Sequence, residues 1–64
     1  MLTEKKFARL LQIKKDYEEA LDTLKQMRSL ATQNPYYILR VYHEIEFEIN
    51  LIKAKIEFIE DQLN

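Results

Sequence analysis

The residues best suited to chemistry stand close together at His43, Glu44, Glu46 and Glu48. Carboxylate bundles that hold two metal ions use inward glutamates and a Glu-x-x-His pair, because residues three apart share a helix face. Three positions before His43 stands Arg40, so the pair is missing. The acids also alternate around Tyr42, Ile45 and Ile49, which the spacing described below turns inward. The expectation is a solvated face and no metal. His43 alone has the chemistry of a pH switch, but its place beside the seam is that of a surface histidine. One His and no Cys leave no Ser-His or Cys-His nucleophile to assemble. No catalytic residue, cofactor site or small-molecule substrate is therefore expected, and the chain does not read as an enzyme.

A second candidate chemistry is phosphate contact. Lys5, Arg9, Gln12 and Lys15 form a short basic strip along one helical face. Lys5, Arg9 and Lys15 are the residues that would touch RNA or DNA, doubled if two copies associate. Residues 1–15 carry five basic side chains against Glu4, but Asp16, Glu18, Glu19 and Asp22 follow at once. Residues 32–64 hold three basic and six acidic groups, and the net charge is −1. That balance argues against general nucleic-acid binding, which stands as the alternative reading.

Positioning any of these groups falls to helices. The 64 residues allow one domain, and a hydrophobic content of 47% is too high for a disordered chain. Without cysteine there is no disulfide framework, which suits a reducing cytoplasm. The longest apolar or aromatic run, Tyr36 to Leu39, is far too short to span a membrane, and no signal peptide is visible. A cytoplasmic protein is expected.

Good helix formers fill residues 4–31, with Thr3 as N-cap and Glu4 in the first turn. Leu10, Ile13, Tyr17, Ala20, Leu24, Met27 and Ala31 step alternately by three and four, and Phe7, Leu11 and Leu21 widen the stripe. A turn is expected at 32–34, with Asn34 capping a second helix and Pro35 at its first position. Helix two, over 35–63, repeats the spacing at Ile38, Tyr42, Ile45, Ile49, Ile52, Ile56, Ile59 and Leu63. The expected fold is all-α, a two-helix antiparallel hairpin over residues 1–64 with coiled-coil-like packing. A three-residue turn pairs Leu24 with Tyr42, Leu21 with Ile45 and Phe7 with Ile59, facing numbers totalling about 66. It also sets Lys5, Lys6 and Arg9 beside Glu57, Glu60 and Asp61. Lys14 and Arg28 fall at or beside the seam, where polar residues can fix register.

Helix two has a second stripe, Phe47, Leu51, Ala54 and Phe58, nearly opposite the seam. Helix one cannot cover it, and such a patch usually marks an interface. Chains this small generally add a metal, a disulfide or a partner. The expectation is a homodimer, two hairpins forming a four-helix bundle, that serves protein–protein interaction as a regulator, inhibitor or assembly factor. Tyr36 and Tyr37, and an acidic zone including Asp16, Glu19, Asp22, Glu44 and Glu48, are secondary docking candidates. In the expected register those acids stand level on the two helices.

Overall fold

The computed structural model describes residues 2–33 and 39–64. Two helices, α1 (Glu4–Gln33) and α2 (Leu39–Leu63), pack antiparallel along their length into a rod of 50 × 14 × 11 Å. The all-α hairpin is therefore as the periodicity implies. The cap expected at Asn34, the proline start at Pro35 and the side chains of Tyr36, Tyr37 and Ile38 lie outside the described residues.

Thr3 starts α1 as its residue type dictates. Its Oγ1 accepts a hydrogen bond from the Lys6 amide at 3.2 Å, and its carbonyl accepts from the Phe7 amide at 2.9 Å. A cap of this kind contributes about 1 kcal/mol by satisfying an amide that has no partner within the helix. The far end of α1 runs through Thr32 and Gln33, residues the sequence assigns to the turn. Proline restrains the residue directly before it, here Asn34, and leaves Thr32 and Gln33 free to remain helical. Their side chains stay local: Thr32 Oγ1 donates to the Ser29 carbonyl at 2.7 Å, and Gln33 Nε2 donates to Ser29 Oγ at 3.5 Å.

The register of the two helices also differs from the expected one. Lys14 pairs with Glu60 and Arg28 with Glu46, so facing numbers total 74 in both cases. Relative to the expected pairing, α2 has slid along α1 by about one heptad, roughly 10 Å at 1.5 Å per residue. Ala31, Ile45 and Ile49 form the buried cluster against which Leu21, Leu24 and Val41 pack, and Tyr17 lies by Lys55. Glu60 meets Lys14, while Lys5, Lys6 and Arg9 make no ion pair among the described residues. A slip of seven keeps the same faces together, so the seam survives the change.

The core is a single line. Ala31, Ile45, Ile49, Ile56 and Ile59 are buried, and Ile49 is the one with no exposure at all. Leu10, Ile13, Tyr17, Ala20, Leu21 and Leu24 of α1 are half-buried against it. Phe7 and Met27, expected inward, are 41% and 47% exposed, and Leu11 is exposed as well. The slip explains Phe7, which now lies at the open end beside Leu2, Gln62 and Leu63 instead of under Ile59.

Truncating Ile49→Ala removes the best-enclosed side chain and is expected to cost about 2–5 kcal/mol by lost transfer energy plus a cavity. Leu30→Ala, at a position 63% exposed, is the matched control and should change stability little. Urea denaturation at one fixed protein concentration reads both, and equal losses would show that the seam at Ile49 is not the centre of the fold.

Candidate interaction surface

The two flanks of the hairpin differ in chemistry. At about 100° per residue, Glu46 and Glu60 fall on one side of the α2 isoleucine line, and Leu51 and Phe58 on the other. The first flank is polar and joins the helices. Arg28 Nη1 donates to Glu46 Oε1 at 2.6 Å, and Lys14 Nζ lies 3.6 Å from Glu60 Oε1. Hydrogen bonding from the Arg28 guanidinium holds the Glu46 carboxyl below the usual carboxylate range. Partial desolvation works against that lowering, while the charge of Arg28, a hydrogen bond with Tyr42 and the charge of Lys53 reinforce it. The same hydrogen bond raises Arg28. Lys14 and Arg28 are half-buried at the seam edge, their charges paired across it with carboxylates of α2.

The second flank is apolar and open. Leu10, Ile13 and Tyr17 of α1 face Leu51, Ala54 and Phe58 of α2 across a groove of about 360 Å³. Lys55 closes one rim, its Nζ 5.6 Å from the centre of the Tyr17 ring, a cation–π distance. The stripe proposed from sequence is therefore not isolated on the back of α2. Three of its four residues border the groove, and α1 supplies the other wall. Phe47 stands apart, in a shallow hollow with His43, Glu44 and Glu48. Phe47 and Phe58 are 66% and 65% exposed, and Leu51 and Ala54 are also exposed. Leu30 and Met27 add apolar surface near the turn, beside Ala31, Val41 and Ile45.

The polar cluster from which chemistry could have come is divided: His43, Glu44 and Glu48 share the hollow at Phe47, and Glu46 leaves it. Glu46 turns to Arg28, and His43 meets Tyr42 edge-on with ring centroids 6.1 Å apart. Among the described residues no group of three or more His, Asp or Glu could hold a metal ion. The acidic zone is also drawn apart by the slip. In the observed register Glu44 and Glu48 stand level with residues near 30 and 26 of α1, about 6 Å or more along the axis from Asp22. Glu19 and Asp16 lie farther still, and Asp16 accepts a hydrogen bond from Gln12 Nε2 at 3.0 Å. The like-charge crowding expected between the helices is absent from this arrangement. Lys5, Arg9 and Lys15 are exposed on α1. Tyr36 and Tyr37 fall outside the described residues.

Glu46 as the partner of Arg28 escaped the sequence reading, which placed it among solvated acids. The signal was there: Lys14 and Arg28 are 14 residues apart, and so are Glu46 and Glu60. Two heptads separate each like-charged pair, the spacing that brings both sets to one edge of the seam.

Fold and flanks together define the chain as a helical hairpin with one ion-paired edge and one bare apolar edge. Comparison with protein families, characterised proteins and solved structures finds no match. No described helix is long and apolar enough to cross a membrane.

Protonating Glu46 should weaken the hairpin. A carboxyl whose folded value is depressed contributes fully above its unfolded range, and that contribution is lost as pH falls through the folded value. Glu46→Gln is expected to be less stable than the parent chain at neutral pH, with the gap closing on acidification. Thermal melts across the acid range measure it. A gap that stays constant into strong acid would mean the carboxylate's charge is not what matters there.

Proposed function

We propose that this chain is a small protein–protein interaction module that works by presenting helix faces, and that its working form is a homodimer of hairpins, four helices in all. The observation that carries this reading is the row of exposed Phe47, Leu51 and Phe58 on a chain whose buried core is one line of side chains. Scattered apolar residues are normal on a surface, but an exposed apolar stripe with a phenylalanine at each end, on so small a protein, supports an association surface. A two-fold pairing is the simplest closed way to cover it. In this proposal the chain is a small regulator, inhibitor or assembly factor that acts in the cytoplasm and carries out no catalytic step. The short basic strip on α1 remains outside it.

Sedimentation equilibrium across a wide concentration range tests the association. The expected result is a species of twice the 7.8 kDa chain mass, dissociating on dilution. Replacing Phe47→Asp together with Phe58→Asp should shift it to the single-chain mass and lower helicity measured by circular dichroism. A folded chain of single mass at every concentration would remove the proposal.

A further inference from the structure

We infer that the second copy meets this chain through α2 alone, back to back and antiparallel, with the two-fold axis passing between Leu51 and Ala54. This rests on the homodimer reading and adds the helix, the direction and the register.

Surface area indicates that the hairpin is short of a covering layer about the size of one interface. It exposes 5424 Å². A compact monomer of 7.8 kDa exposes about 4,400 Å² by the scaling of surface with mass. The excess is roughly 1,000 Å², close to the ~800 Å² that each partner gives up in an interface of standard size. The polar flank is already occupied by its two ion pairs, so the apolar side is where the excess can be covered.

The direction follows from the stripe's own symmetry. Phe47, Leu51, Ala54 and Phe58 step by four, three and four, a spacing that reads the same in reverse. An isologous contact sets each surface against its own copy turned by a half rotation. Run antiparallel, the stripe places Phe47 against Phe58 of the second copy and Leu51 against Ala54 of the second copy. Large then meets small twice at the centre, and aromatic pairs close both ends in contacts that rings favour. A parallel pairing stacks Ala54 on Ala54 and each phenylalanine on itself. The alanine layer then stands empty while the layers on either side hold the helices apart, which is poor packing. Aligned helix dipoles would oppose the parallel form as well.

Charges along the edges agree with the antiparallel register. Lys55 comes within one turn of Glu48 of the second copy, and His43 comes level with Asp61 of the second copy. Because the stripe lies nearly opposite the isoleucine seam, the four helices run as a layer, α1–α2–α2–α1, in place of a closed square bundle. The groove between Leu10, Ile13, Tyr17 and Phe58 borders this contact and lies outside it.

Thiol cross-linking tests direction and register. Chains carrying Phe47→Cys and chains carrying Phe58→Cys are mixed, mildly oxidised and resolved without reductant. The mixture is expected to give several-fold more disulfide-linked dimer than either chain alone. Like residues would lie about 16 Å apart along the axis, beyond the ~7 Å limit for a disulfide. A mixture of Leu51→Cys and Ala54→Cys chains keeps both rings, guards against loss of association, and should also cross-link. Strong self-linking of Phe47→Cys would overturn the antiparallel arrangement. Failure of both mixtures, with the parent chain still sedimenting as a dimer, would overturn the inference and leave the homodimer standing. A parent chain of single mass would remove both.

Discussion

Everything in this hairpin depends on one seam, the line of Ile45, Ile49, Ile56 and Ile59 laid against the apolar face of α1. Neither helix can bury its stripe alone, and each buries it only along the other. Isoleucine suits the position because its stiff branched side chain loses little further freedom on packing and fills the hole between facing turns. The α1 side is built differently, from Leu, Ala, Tyr and Met, and it is only partly covered. The asymmetry is physical. Four isoleucines of the narrow α2 stripe are buried in the contact, with Ile52 half-buried, while the broader α1 stripe spills Leu11 and Met27 past its edges.

A heptad seam fixes which faces meet but not where they meet. Sliding one helix by seven residues restores the same pattern, which is why the fold was legible in the sequence and the register was not. Apolar spacing alone is compatible with facing numbers near 66 or near 74. What separates them is charge. Moving α2 one heptad toward the shorter-turn pairing would set Lys14 opposite Lys53 and Arg28 opposite Leu39. Moving it one heptad the other way would bring Arg28 to Lys53 and carry Lys14 past the end of α2. Only the observed register gives both cations a carboxylate. Partly exposed ion pairs add little net stability, yet they discriminate among alignments that are otherwise nearly equivalent. The polar groups at the seam's edge therefore act as a key.

The candidate surface was legible in part for a related reason. Helical spacing placed Phe47, Leu51, Ala54 and Phe58 on the outward side of α2, and all four are exposed. Spacing on one helix could not show that α1 contributes Leu10, Ile13 and Tyr17 to the same groove, because that depends on how the two cylinders meet. Nor could it show that Glu46 leaves the acidic row to bind Arg28. The level placing of the acids likewise depended on the register, since a shift of one heptad moves those of α2 along the axis relative to those of α1.

The separation of the two flanks bears on how any association would act on folding. The radius of gyration is 15.0 Å, against about 11 Å for a compact chain of this length. A rod of that kind has a high ratio of surface to core. Any contact that covers the apolar flank binds the folded hairpin and not the unfolded chain, so it stabilises the fold in proportion to the concentration of whatever supplies it. Burying the register-selecting charges at that contact would add a desolvation cost, whereas an apolar flank has no such penalty. The alignment code lies on one edge and the bare apolar surface on the other, so a contact made on the apolar edge would strengthen the hairpin without disturbing the pairing that defines it.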